Sequence, residues 1–393
     1  MTINATFNRP RLLAPGPVET DPRTALLLAQ PQIHHRTPEA RAIVLDARAK
    51  LQKLLGCPWE VLITTSSGTG AFEAALVSLV PPGARVLCAQ AGKFGERWGL
   101  MAQTLGYTVD EVKDEWGRSL EPQKVAAGIE PDTRALLITH SETATGALHD
   151  LEAISKAARA VNPDILILVD AVTSFAVAEL RPEKWDLDAI ISGSQKGVAA
   201  PPGLGFVALS PRAITQLGAN PQRYYFDLKK ELKSQVKGET AYTPAINLIQ
   251  SLTQSTERLL SIPLEQLWLE KKRMNTALLE AGKALGCTQF ADVPSPACAA
   301  LVPPTGISGK QVADKLKELG AKAAAGQDPF KDAMFRISMM GYFDRYDALA
   351  VAGILEDAFE SLGARFERGV AVSAAWKALE ARQEIRQIAV QSA

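Results

Sequence analysis

The sequence predicts an α/β protein with a mainly parallel central sheet covered by helices, followed by a smaller α+β domain. Two observations predict it. Between residues 61 and 210 short apolar runs alternate with helical patterns, the rhythm of parallel strands joined by crossover helices. Beyond about residue 263 the strands become shorter, near 288–291, 299–302 and 335–339, with helices at 310–319 and 346–362. The 393 residues, 47% hydrophobic and 22% charged, suffice for one large and one smaller domain. The expected division is an arm over 1–22, a large domain over 23–262, a small domain over 263–365 and a helical extension over 366–393.

Composition excludes several function classes. The 43 basic and 43 acidic residues balance, so nothing points to nucleic acid or an anionic membrane surface. Cysteines at 57, 88, 287 and 298 lack CxxC spacing and sit mostly in apolar surroundings, as reduced thiols of a cytoplasmic protein do. No metal centre is expected. No apolar stretch reaches the roughly 18 residues of a membrane span, and the first ten residues do not read as a secretory signal.

Taken in order, residues 10–22 hold four prolines and one glycine and should be extended and irregular. His34 and His35 precede a helix over 39–55; lacking a third ligand, they read as surface or cleft-edge groups. The strand 61–65 runs through Ser66-Ser-Gly-Thr-Gly70 into a helix over 71–80. A strand, a glycine-containing turn and a helix amino terminus together present free amides to a phosphate. An ordinary strand-to-helix turn is the alternative.

Strands and helices then alternate, at 85–90, 95–105, 108–112, 122–127, 135–140, 150–161, 165–170, 188–192 and 205–210. The loop 91–97 offers Phe94, suited either to stacking on a flat heterocycle or to plugging the core. The polar loop 140–146 offers the Thr143 hydroxyl. Asp170 ends the apolar run Ile165-Leu-Ile-Leu-Val, at the carboxyl tip of a buried strand. Lys196 follows the next strand through Ser192-Gly-Ser-Gln195, with Gln195 in reach of a phosphate.

Acid and amine therefore face one crevice beyond neighbouring strand ends, where open α/β sheets bind ligands. Desolvation there shifts lysine toward its neutral, nucleophilic form, ready to form a Schiff base with an aldehyde. A solvated lysine and a helix-capping aspartate are the alternatives. A lysine on the aldehyde with an acid on the pyridinium nitrogen is the pairing that pyridoxal phosphate requires. Farther on, 226–235 reads as a solvated helix, 239–244 as a polar turn, and 245–260 and 264–285 as long helices. Arg336 lies in an apolar strand, where a ligand carboxylate or an internal salt bridge must satisfy its guanidinium. The run 372–390 has the pattern of one more amphipathic helix.

Five ordered segments carry a resemblance: Ala14-Pro-Gly-Pro17, Ser67-Gly-Thr-Gly70, Ser192-Gly-Ser-Gln-Lys196, Ala200-Pro-Pro-Gly203 and Phe335-Arg-Ile-Ser338. Over roughly residues 10–365 the chain resembles the class V pyridoxal phosphate-dependent aminotransferases, within the alanine/serine–glyoxylate group. The resemblance implies the fold type I of pyridoxal phosphate-dependent transferases. It makes Lys196 the Schiff-base lysine and Asp170 the pyridinium partner, with Val172 under the ring and Phe94 stacked on it. Thr69, Gly70 and Ala71 would cradle the phosphate with Gln195, Thr143 would sit near the ring hydroxyl, and Arg336 would hold the substrate carboxylate. Tyr242 and Thr243 would reach the phosphate of a neighbouring subunit, which implies a homodimer with shared active sites.

The activity so implied is transamination of a small amino acid, alanine or serine, with glyoxylate, giving glycine and a 2-oxo acid. Aspartate or another donor is an alternative within the class, and a cysteine desulfurase is the nearest rival on the same fold. That rival needs a reactive cysteine on a mobile loop, whereas Cys298 reads as strand. A non-catalytic subunit of a redox assembly is the alternative from another class.

Overall fold

The computed structural model describes residues 9–381. At its centre is a seven-stranded sheet. The strands are β1 (Glu60–Thr64), β2 (Arg85–Gln90), β3 (Thr108–Lys113), β4 (Thr133–Thr139), β5 (Leu166–Asp170), β6 (Ala189–Gly193) and β7 (Gly205–Leu209). Their spatial order is β1-β7-β6-β5-β4-β2-β3. Only β7 runs antiparallel to its neighbours.

Near-continuous aliphatic runs make β5, β6 and β7 buried along their whole length, as strands covered on both faces must be. Successive side chains feed opposite layers: Leu136, Ile167 and Ile190 enter one core, and Leu137, Leu168 and Ile191 the other. The first core is closed by helices α1 (Pro38–Leu55), α4 (Leu151–Val161) and α5 (Ile246–Leu259). The second is closed by α2 (Gly68–Leu79) and α3 (Lys93–Thr104). Thr37 caps α1, its hydroxyl accepting from the Ala40 amide at 3.2 Å, and Gly56 ends the helix at φ 76°, where a side chain would be strained.

A second, antiparallel sheet orders Thr288–Gln289, Ala299–Val302, Phe335–Ile337 and Ala324–Ala325. Its own core gathers Leu278, Leu301, Leu316, Phe335, Leu355 and Phe359. Helix α6 (Leu264–Ala284) joins the two cores, Leu267 entering the first and Met274 onward the second.

The arm is extended, as expected, but part of it is paired and not irregular. Arg11–Leu12 pairs in parallel with Ala321–Lys322, and Pro22–Leu28 is a helix capped by Asp21. The strand partner is remote in the chain, so no local pattern announces the pairing. Helix α3 begins at Lys93, which puts Phe94 in its first turn and not in a loop. Cys298 stands just before the strand Ala299–Val302. The terminal helix spans Val370–Glu380; Ile385 and Ile388, part of the helix expected over 372–390, lie outside the described residues.

Candidate active site

Strands β5 and β6 are parallel neighbours with Asp170 opposite Ile191, so Asp170 and the turn carrying Lys196 emerge at one edge. That edge, the amino terminus of α2 and the start of α3 enclose a cavity of about 310 Å³. Lys196, Asp170, Gln195, Thr69, Phe94, Thr143 and Val172 all line it.

The Lys196 amine donates to the Pro15 carbonyl oxygen, so the arm lies directly over it. Burial lowers its pKa from the ordinary 10.5 to about 8, while the Asp170 charge opposes the fall. Both Asp170 oxygens are held: Trp98 Nε1 donates to Oδ2 at 2.6 Å and the Val172 amide to Oδ1 at 2.9 Å. Burial nevertheless raises this carboxyl to about 6, restrained by those two donors and by Lys196. Such a carboxyl gains by facing a cation. The Trp98 ring is itself fixed by stacking on Phe72 with centroids 4.0 Å apart.

Helix α2 begins at Gly68, and Ser67 at its cap position makes no side-chain capping bond. The amides of Gly68, Thr69 and Gly70 have no acceptor among the described residues, whereas the Ala71 amide donates to Ser67 O at 3.0 Å. Ala71 is therefore corrected as a cradle residue: the free amides are those one position earlier, and the buried Ala71 closes the helix behind them. Glycine at 68 is needed for space, since a Cβ there would lie 2.5 Å from Val172 Cγ2. Gln195 Oε1 is buried and has no hydrogen-bond partner among the described residues.

Arg336 stands behind Thr143 and not in the cavity wall itself. Its Nη1 donates to Thr143 O at 2.6 Å, and its Nε and Nη2 donate to Ala325 O at 3.0 and 2.9 Å. Among the described residues it has no carboxylate partner, so an internal salt bridge does not satisfy it. Two of its five N–H groups remain for a ligand. Tyr242 and Thr243 do not reach the cavity of their own chain. They line a separate depression with Tyr225 and Phe226, where the Tyr242 hydroxyl donates to Tyr224 O at 2.9 Å.

Three contributors escaped the reading of the sequence. Trp98 sits four residues after Phe94 on α3, and a buried indole N–H needing an acceptor was the available signal. Gly16 and Pro17 of the arm line the cavity. Glu142, inside the polar loop, is 1% exposed and accepts amides from two segments.

An enclosed lysine poised near neutrality, a carboxylate for a ring nitrogen, free helix amides for a phosphate and an arginine for a carboxylate all fit pyridoxal phosphate and its amino acid substrates. Fold and site thus define a pyridoxal phosphate-dependent enzyme. Residues 26–350 match the family model described as Aminotransferase class-V, and the chain belongs to that family. It is 37% identical to the soluble hydrogenase 42 kDa subunit of Anabaena cylindrica, the match spanning 93% of this chain and 97% of the relative. An L-aspartate–glyoxylate aminotransferase of Paracoccus denitrificans is 30% identical over 93% of this chain and 94% of its own. The crystal structure of a subgroup IV aspartate aminotransferase from Thermus thermophilus superposes with a TM-score of 0.85 at 43% identity. It covers 90% of this chain and 99% of that one.

Proposed function

We propose that this chain transfers the amino group of a small amino acid, alanine or serine, to glyoxylate, yielding glycine and a 2-oxo acid. The observation that carries the reading is the meeting of Lys196 and Asp170 in one cavity, with Arg336 behind Thr143 lacking a carboxylate partner among the described residues. When bound, pyridoxal phosphate supplies an aldehyde that condenses with amines and a ring that takes up the electrons of the substrate Cα–H bond.

The protein's share follows from its geometry. Asp170, fixed by Trp98 and Val172, would hold a proton on the heterocycle nitrogen. Phe94 and Val172, which line the cavity, would hold the ring, Thr143 its hydroxyl, and the amides of Gly68, Thr69 and Gly70 with Gln195 the phosphate. With the cofactor bound, Lys196 Nζ would serve as the base for the substrate α-proton, and the Pro15 carbonyl gives the amine a hydrogen-bond partner. Arg336 orients the α-carboxylate with its remaining N–H groups. Gly16 and Pro17 cover the lysine closely, which supports a donor with a short side chain. Tyr242 and Thr243, turned away from their own cavity beside the exposed Tyr224, fit a second copy whose phosphate site they complete. The cytoplasm is the compartment proposed for this chemistry.

Lys196→Ala should lose the visible absorbance of the bound cofactor, and alanine, serine and aspartate should then be compared as donors to glyoxylate. Preference for aspartate, in line with the names of two relatives, would replace the small donor. Sulfide release from cysteine is not expected: burial pushes the Cys298 thiol up to about 11, far from a reactive thiolate.

A further inference from the structure

We propose that Glu142 is a positioning residue of this site, a buried carboxylate that fixes Phe94, Thr143 and Arg336 in one register without touching substrate. Its Oε2 accepts the amides of Phe94 and Gly95 at 2.9 and 3.2 Å, and its Oε1 accepts the amide of Ala144 at 3.0 Å. The cap position before helix α3 is Gly92, which has no side chain to cap it, so the cap is delivered from a loop 50 residues away in sequence. One carboxylate thus ties the first turn of α3, which carries the Phe94 ring, to the turn that carries Thr143.

The tie continues to the substrate arginine. Thr143 O, the next carbonyl along, accepts Arg336 Nη1 at 2.6 Å, and the turn is closed by the Gly146 amide on Glu142 O at 2.8 Å. Displacing the carboxylate would therefore shift the ring contact and the arginine together. No lysine or arginine forms an ion pair with Glu142 among the described residues. Burial pushes this carboxyl up to about 7; three amide donors and the positive end of α3 oppose the rise in place of a paired counter-ion, with the Arg336 charge nearby. The space around the group is equally specific. A Cβ on Gly92 would lie 2.4 Å from Glu142 Cγ, although the Gly92 backbone is extended and open to any residue. A glycine retained for room and a carboxylate saturated by backbone donors are the marks of a fitted joint.

The proposal rests on Phe94, Thr143 and Arg336 facing the ligands, and its test separates the two ideas. Glu142→Gln keeps the shape but offers one oxygen to three N–H donors, leaving its NH₂ against a backbone N–H. Gly92→Ala keeps the carboxylate and displaces it. Each variant should raise the KM for the amino donor about tenfold to a hundredfold with a smaller change in kcat. Each should also weaken the circular dichroism of the bound cofactor, which reports how rigidly Phe94 holds the ring. Arg336→Gln serves as reference and should raise KM while leaving that dichroism intact. A folded E142Q or G92A with wild-type KM and dichroism, shifted only in Tm, would reduce Glu142 to a helix cap and overturn the proposal. If one variant fails to fold, the other decides. An Arg336→Gln protein with unchanged KM would instead overturn the reading of the site.

Discussion

In protein stripped of its cofactor, the Lys196 amine should titrate near pH 8. Burial sets this value against the ordinary 10.5, and the nearby Asp170 charge keeps it from falling further. At pH 7 a group of pKa 8 is ~9% neutral and one of pKa 10.5 is ~0.03% neutral, an enrichment of about 300-fold in the nucleophilic form. The assay is the rate of covalent capture by a small amine-reactive reagent as a function of pH, with peptide mapping to Lys196. Asp170→Asn gives a second reading with a fixed sign. Because the aspartate raises the lysine pKa, its neutralisation should move the midpoint below 8 and speed capture at pH 7. Amino transfer in the cofactor-loaded variant should fall, since the ring nitrogen loses its counter-charge. A midpoint near 10.5, or an upward move in D170N, would refute the picture of a desolvated lysine beside an ionised aspartate.

Trp98→Phe preserves the aromatic stack on Phe72 but removes the 2.6 Å donor to Asp170. Denaturant titration should show a loss of about 1.5–3 kcal/mol, the usual worth of a hydrogen bond to a charged group. Lys271 is buried in α6, donates to the carbonyls of Met339 and Gly341, and is lowered by burial from 10.5 to about 7. Between pH 7 and 10.5 the unfolded chain holds the extra proton, so stability should rise with pH by up to about 1.4 kcal/mol per unit. Lys271→Met should flatten that slope in pH-dependent denaturation curves. Gly16→Ala would put a methyl 2.2 Å from Lys196 Nζ at a φ of +135°; on the order of a hundredfold loss in kcat is expected, with far-ultraviolet dichroism unchanged.

The sequence showed the sheet and its catalytic edge because those features are local. Unbroken aliphatic runs mark β5 and β6, and the polar residues that end them fall where ligands bind. The free amides at residues 68–70 were misplaced by one position because Ala71 is already committed to Ser67, a detail set by where the helix begins. That start has no side-chain cap to mark it, and for α3 the cap comes from Glu142 in a distant loop. The arm was legible as irregular but not as paired, since its partner strand lies at the other end of the chain. Arg336 was recognised by its apolar strand, yet its three hydrogen bonds, to the Ala325 and Thr143 carbonyls, arise from tertiary packing.

The arm also bears on synthesis. Arg11–Leu12 finds its strand only once Ala321–Lys322 has been made, and the same stretch then carries Pro15 across to Lys196. A ribosome-bound chain that already contains the complete large sheet would therefore still lack the lid over its amine. Catalysis should begin only near the end of translation, and trimming of the first dozen or so residues by a protease would silence the mature enzyme.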